Sequence, residues 1–304
     1  MIERLHVSQV ISMIATGITF SRYIWVISPR NLIQVRNRAQ HTYQRHADIV
    51  HEIADRLLQR LDYVKLQPKR ILDLGCAEGY ATLLLRQRFR TAQIIAIEPA
   101  EKLCQPLTRK WFSPIRVLTA WYANLPLMDQ SVDIIYSNLS LQWQADWSVL
   151  VQEILRVLKP NGLFLFSVAG PDTLRELRTA WAAIDHLPHI ISFKDMHDIG
   201  DILLQQGFDA PVMDMELLNL YYPTLTALWR ELHGLGCQNV LQQRCSHLLG
   251  KQHFAAMQQA VQQTTPCSVT LEVIYGHAWK AVPTEPVSAN TTISIPISAI
   301  KKRG

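Results

Sequence analysis

The run Arg70-Ile71-Leu72-Asp73-Leu74-Gly75-Cys76-Ala77-Glu78-Gly79-Tyr80 constrains the fold more than any other stretch of the chain. An apolar strand enters a glycine-containing turn and a helix leaves it. A second strand, Gln93 to Ile97, ends on an acid, Glu98, and Pro99 stops it. In a βαβ unit this layout builds a nucleoside site. The turn glycine lets a ligand approach the backbone, and the acid at the next strand end accepts from two ribose hydroxyls.

The turn also discriminates between nucleosides. A dinucleotide fingerprint wants glycines at 75, 77 and 80, but positions 77 and 80 hold Ala and Tyr. No Lys-Ser/Thr pair follows the turn, which excludes a phosphate-cradling P-loop. Asp73, at the strand end, is a poor neighbour for a pyrophosphate and a good one for an ammonium group. The pattern Asp-x-Gly-x-Ala-x-Gly, with Glu98 after the second strand, resembles the first two motifs of the S-adenosylmethionine (SAM) methyltransferases. That resemblance implies SAM as cofactor, with Gly75 and Gly79 against its methionine part and Glu98 on the ribose.

Beyond the turn, strand and helix alternate. Residues 31 to 66 read as helix, with Ala47, Val50, Ile53, Ala54, Leu57, Leu58 and Leu61 at helical spacing. Strands are expected at 71–74, 94–97, 115–120, 132–138 and 162–168. Helices are expected from Gly79, from Glu101 to Trp111, and from Asp146 to Leu158, the last stopped by Lys159-Pro160-Asn161-Gly162. Continuous apolar runs point to parallel strands buried on both faces. The fold class is therefore α/β, a doubly wound Rossmann-like sheet. Ligands in such sheets sit beyond the carboxyl ends of the strands, so Asp73, Glu98, Trp121 and Asn138 converge on one crevice.

After Gly170 the pattern loosens. A helix from Asp172 to about Asp185 opens on Pro171-Asp172-Thr173 as a capped start. Another, Asp195 to Gln206, ends at Gly207. Strands are expected at 213–221 and 269–275, and the helical residues 225–263 read as a cap inserted between them. Residues 172–206 and 225–263 would roof the crevice. This organises the chain as an extension (1–30), a catalytic domain (31–281) and an irregular tail (282–304).

With 304 residues, 48% hydrophobic and 18% charged, the chain has the composition of a globular enzyme with a sizeable core. Its five cysteines include no C-x-x-C pair, which argues for reduced thiols in a cytoplasmic setting and against a zinc site or disulfide frame. The net charge of +5 favours an acidic partner: a nucleic acid, an anionic metabolite or an acidic carrier protein. Val7 to Ser28 is apolar but broken by polar residues, too polar for a membrane span of about 20 residues. No stable membrane insertion is expected.

From about Arg36 to Lys280 the chain is similar to the malonyl-acyl carrier protein O-methyltransferases of biotin synthesis. The stretches that carry this are Arg38-Ala39…Tyr43, Ser137-Asn138-Leu139-Ser140-Leu141-Gln142-Trp143, Arg156-Val157-Leu158-Lys159-Pro160-Asn161-Gly162, Gly170-Pro171-Asp172-Thr173-Leu174 and Tyr275-Gly276-His277-Ala278-Trp279-Lys280. The resemblance implies esterification of the free carboxylate of a malonyl thioester on an acyl carrier protein or coenzyme A. Ala77 departs from the family's usual middle glycine, an exchange that an ordinary backbone angle would tolerate. Trp121 stands where many members carry an acid for the adenine amino group, and its indole would stack on adenine instead.

A carboxylate is already ionised at neutral pH, so no general base is needed and no catalytic side chain is assigned. No metal is expected. Cofactor contacts are expected from Tyr43, Asp73, Gly75, Gly79, Glu98, Pro99, Trp121 and Asn138. Substrate contacts are expected from Trp143, from Arg175 or Arg178 as a fork for the malonyl end, and from His277 past the last strand. Three alternatives remain open: methylation of a small di- or tricarboxylic acid, a SAM-fold assembly factor or hydroxylase without methyl transfer, and an RNA methyltransferase. The last lacks an Asn-Pro-Pro-Tyr-like tetrad, and nucleic acid is not expected as a partner.

Overall fold

The computed structural model describes residues 27–108, 115–244, 251–262 and 267–282. Most of the 1–30 extension, Trp111 at the end of one expected helix, part of the 225–263 segment and nearly all of the 282–304 tail lie outside them.

The amino-terminal helical region is broken into pieces. Helix α1 (Pro29–Arg38) starts with proline behind a Ser28 cap whose Oγ accepts from Asn31 N–H. A single 3-10 turn leads to α2 (Tyr43–His46) and then α3 (Asp48–Gln59). The Rossmann-like body follows as β1 (Arg70–Leu74), α4 (Tyr80–Arg88), β2 (Gln93–Ile97), α5 (Gln105–Thr108), β3 (Ile115–Leu118), β4 (Val132–Asn138), α6 (Trp147–Val157) and β5 (Leu158–Ala169). The last part is α7 (Arg175–Ala182), α8 (Met196–Gln206), β6 (Phe208–Tyr222), α9 (Leu225–Gly234), α10 (Lys251–Gln262) and β7 (Cys267–Lys280).

The seven strands form one sheet in the order β3-β2-β1-β4-β5-β7-β6. The first five are parallel; β7 runs antiparallel to β5 and to β6. The chain order reverses between β1 and β4, and this places the crevice at the carboxyl ends of these two strands. Alternate residues of each inner strand feed opposite faces. Ile135 and Leu72 pack with α6 and α8 through Leu150, Ile154, Ile199 and Leu203, whereas Ile134 and Ile71 pack with α3 through Ile53 and Leu57.

Four local expectations are revised. The Lys159–Gly162 stop lies inside β5, as a bulge: Val132 faces Leu158 but Ile134 faces Leu163, and Asn161 turns with φ +58°. Helix α7 begins at Arg175, behind Leu174 at φ +56°, with no side-chain cap from Asp172 or Thr173. Strands β6 and β7 are longer than expected, because each pairs along its full length with a neighbour. Helices α9 and α10 join α7 over the β6–β7 ends through Leu177, Trp181, Leu225, Leu228, Met257 and Val269, forming the cap.

Candidate functional site

The turn after β1 hangs on the end of β2. Gly75 N–H and Cys76 N–H both donate to the Ile97 carbonyl, at 2.8 and 3.1 Å. Gly75 has φ +83°, and a Cβ there would lie 2.2 Å from Ser140 Oγ, so glycine is required twice over. Gly79, at φ +95°, precedes α4 with Leu107 packed against it. Ala77 is not in an ordinary conformation: its φ is +48°, in the left-handed region that penalises a Cβ. The expected tolerance at this position is corrected accordingly, and the strain is held by the hydrogen bonds around it.

The loop after β4 clamps the turn from the other side. Ser137 Oγ and Ser140 Oγ both donate to the Leu74 carbonyl, at 2.7 and 3.0 Å. Asn138 Nδ2 donates to the Val50 carbonyl of α3, and Asn138 Oδ1 accepts from Ser167 Oγ on β5 at 2.6 Å. Asp73 is buried and accepts from Thr82 Oγ1 at 2.5 Å. Burial pushes its carboxyl up to about 7, with Glu98 and Glu78 adding to the rise and the Thr82 hydroxyl opposing it. Asp73, Gly75, Asn138 and Tyr43 line one small cavity of about 30 Å³, together with His51, Glu78 and Tyr80. His51 Nε2 lies 2.6 Å from Glu78 Oε1, and its ring stacks on Tyr80.

Glu98 is fully buried. Its Oε1 accepts from Ala100 N–H, and its Oε2 accepts from Ala77 N–H and from Arg36 Nη2, all at 3.1 Å. Burial is the largest single influence and would lower the Arg36 pKa, but the Glu98 carboxylate, with Tyr122, Tyr43 and Cys237, together outweighs it and raises the pKa, so the guanidinium stays charged. Arg36 belongs to α1, which lies across the strand ends; Asn37 Oδ1 accepts from Lys102 N–H alongside it. The Glu98 carboxylate thus faces an arginine, and it does not line the small cavity. Pro99, Gly79 and Trp121 are also outside its lining. Trp121 packs beneath α1 with Leu32, Val35 and Trp143 and stacks on Tyr122, with ring centroids 5.7 Å apart.

A second cavity of about 740 Å³ opens beside the first, within the usual ligand-site range. It lies between α1, the β4 loop and the cap. Arg36, Tyr43, Val50 and Leu139 border both cavities. Its wall is mainly apolar: Trp143, Leu177, Trp181, Ile191, Leu228 and Leu271. Three lining residues carry a buried polar atom with no partner, namely Arg36 Nε, Gln142 Oε1 and Trp229 Nε1. Such orphans in an apolar chamber mark where a ligand's own polar groups belong.

Trp143 and Tyr43 therefore stand at the large cavity, but three expected substrate residues do not. Arg175 is half exposed and spends its guanidinium on Asp172 and Glu176. Arg178 donates both terminal nitrogens to the Pro171 and Thr173 carbonyls, bracing the loop before α7. His277 sits in mid-sheet, opposite Leu165 of β5, near Arg60; burial and that cation lower its pKa. None of the three lines either cavity. Sequence reasoning missed Arg36, Gln142 and Trp229. The i, i+3, i+4 spacing of Leu32, Val35 and Arg36 was the available signal, since it puts the arginine on the buried stripe of α1.

The donor and acceptor set suits a sulfonium nucleoside. Asp73 is a buried acid beside the glycine turn where an ammonium group would find a partner, and Glu98 is a second acid at the β2 end, its oxygens held by Arg36 and two backbone amides. The room beside the turn is small, about 30 Å³, and Arg36 of α1 forms part of its wall.

Known proteins share the fold and much of the sequence. A profile of the methyltransferase domain matches residues 72–166. The fold is shared with the YcgJ protein of Bacillus subtilis, at TM-score 0.55 and 16% identity, covering 74% of this chain and 98% of that one. It is shared also with a phosphoethanolamine N-methyltransferase 2 of Haemonchus contortus, at TM-score 0.52 and 16% identity, covering 83% and 60%. Much nearer in sequence are the malonyl-[acyl-carrier protein] O-methyltransferase 1 of Coxiella burnetii, 39% identical over 87% of this chain and 93% of its own, and the Gallionella capsiferriformans malonyl-[acyl-carrier protein] O-methyltransferase, 38% identical over 85% and 93%. With a likeness of that depth along nearly the whole of both partners, and with the methyltransferase sheet and turn in place, the chain belongs to the malonyl-[acyl-carrier protein] O-methyltransferase family, whose cofactor is SAM.

Proposed function

We propose that this chain methylates the free carboxylate of a malonyl group carried as a thioester on an acyl carrier protein. The observation that carries the reading is the pair of adjoining cavities. One is small, built on the methyltransferase turn and bordered by Asp73, His51, Glu78 and Asn138; the other is large, apolar and studded with a few unpartnered polar atoms. A malonyl group is short and reaches a buried site only on the carrier's long flexible arm, so it needs a deep chamber, and its distal carboxylate must end where the small cavity begins.

Bound SAM supplies an electrophilic methyl group. Asp73 and Glu98 would hold its ammonium and ribose ends, with Gly75 and Asn138 beside them and Tyr43 closing the site from α2. A base is unnecessary, because a carboxylate titrates near about 4. The protein's task is to line up the carboxylate oxygen and exclude water, which can supply roughly 7–11 kcal/mol when alignment is good. Trp143, Trp181 and Leu228 give the dry wall. Gln142 Oε1 and Trp229 Nε1 would pair with the amide groups of the carrier's flexible arm. Arg244, exposed and lining the same cavity, would meet the carrier's acidic surface.

The test is to supply methyl-labelled SAM and malonyl-loaded carrier protein. A base-labile methyl ester on the carrier is expected. Label found only on free small acids, or on RNA, defeats the reading.

A further inference from the structure

Resting on that reading, we infer that Arg36 is the residue that grips the substrate's carboxylate, and that it is lent to Glu98 until a nucleoside diol takes its place. Its position singles it out. Among the described residues, two arginines line the large cavity, Arg36 and Arg244. Arg244 is exposed, which suits the open end of a channel. Arg36 is buried on the wall shared with the small cavity, and a carboxylate about to accept a methyl group has to lie there. Arg175 and Arg178, the obvious candidates by sequence, are occupied elsewhere.

Its bonding is unfinished. Nη2 serves Glu98, while Nε is buried with no partner. A guanidinium offers a fork of donors matched to a carboxylate, so an orphaned Nε beside an apolar chamber is a vacancy for an anion's oxygen. The nearest competing cation is no rival: among described residues lining either cavity, the other basic side chains are His51, His189, His233 and Arg244. His51 is held by Glu78 and His189 by Asp185; His233 Nδ1 meets the Trp229 carbonyl.

The acceptor count on Glu98 supplies the exchange. Oε2 already takes Ala77 N–H and Arg36 Nη2, and Oε1 takes Ala100 N–H. A diol donating to both oxygens must displace one of these donors. Two are backbone amides, Ala77 in the turn and Ala100 just after Glu98 itself, so the side chain yields. The released guanidinium borders the large cavity and needs a new anion there, since a buried charge left unpaired is costly. Binding of the nucleoside and gripping of the carboxylate are thereby coupled, and a neutral acyl chain gains nothing from the coupling.

The experiment measures binding of malonyl-loaded and acetyl-loaded carrier protein, with and without saturating S-adenosylhomocysteine, by calorimetry. The wild-type chain should prefer the malonyl carrier, and the nucleoside should sharpen that preference by on the order of tenfold. Arg36→Gln keeps a donor for Glu98 but no charge, and should bind the two carriers alike while holding S-adenosylhomocysteine at least as tightly. Arg36→Lys, with melting curves on both variants, covers the case in which the glutamine variant fails to fold, and should lose most of the sharpening. A folded Arg36→Gln, or failing that Arg36→Lys, with the full wild-type preference overturns the inference and leaves the proposed reaction standing. A wild-type chain that does not distinguish the two carriers removes both.

Discussion

The crevice at the β1 and β4 ends and the chamber under the cap are built by different physics. In the crevice, backbone geometry decides. Gly75, Ala77 and Gly79 all turn with positive φ within five residues, Leu74 O is bracketed by Ser137 and Ser140, and every oxygen of Glu98 has a partner. In the chamber, side-chain volume decides. Leu177, Trp181, Leu225, Leu228 and Met257 pack from three separate helices, and Trp229 Nε1 beside them is left without a partner. On the proposed reading, a cofactor common to many enzymes would meet a hydrogen-bonded turn, and a particular acyl group would meet a chamber whose shape core substitutions can alter.

That contrast can be broken at its apolar end with Leu228→Ala. Leu228 is fully buried in the cap core and lines the chamber. The substitution should cost about 3 kcal/mol in denaturant unfolding and raise the KM for the malonyl carrier. Affinity for S-adenosylhomocysteine should stay within about twofold on the scale where tenfold is about 1.4 kcal/mol. Equal damage to both ligands would show that the two regions are one.

At the polar end the handle is Asp73. Its carboxyl titrates near 7 in the folded chain and at 3.8 when unperturbed, so near pH 6 the folded chain holds a proton that the unfolded chain has released. Stability from this group is full below about pH 4 and falls as pH rises through 7. A bound ammonium favours the ionised form, so nucleoside binding should release a proton, and affinity should rise about tenfold from pH 6 to 8. Calorimetry in two buffers of different ionisation enthalpy reads the proton directly, and Asp73→Asn should abolish both trends. A flat pH profile in the wild-type chain would detach Asp73 from the ligand.

The smallest effect is expected of Ala77→Gly. Removing the Cβ at φ +48° should stabilise the fold by about 1 kcal/mol and leave the chamber's properties unchanged. A loss of stability would mean that the alanine methyl contributes more through its packing with Tyr43 and Leu103 than its backbone costs.

The same division governs how much the sequence revealed. The turn, the β2-end acid and the Asn138–Trp143 run were legible because local steric rules fix them to neighbours in the chain. The left-handed angle at Ala77 was not, since nothing in an alanine announces φ +48°; only its N–H bond to Glu98 explains it. The five parallel strands were readable as apolar runs. Strand β6 was underestimated, because an edge strand of mixed polarity interrupted by Pro211 gives a weak signal, although its pairing with β7 spans Phe208 to Tyr222. Arg175 looked like the carboxylate fork by sequence position alone, and the neighbouring Asp172 and Glu176 that neutralise it were visible in the same stretch. Arg36 escaped notice because an arginine on a short helix ordinarily faces water.

The seating of α1 and α2 on the cap has a further consequence. Gly234 makes room for the His46 ring and Gly236 for the Arg36 backbone, Thr42 Oγ1 donates to the Gly234 carbonyl, and Ser28 N–H donates to that of Val240. These segments are latched together at both ends. Displacing α1 would therefore break its bonds to the segment that follows the cap helix α9 as well, so a substitution that loosens one of these contacts is felt by both the amino-terminal arm and the cap.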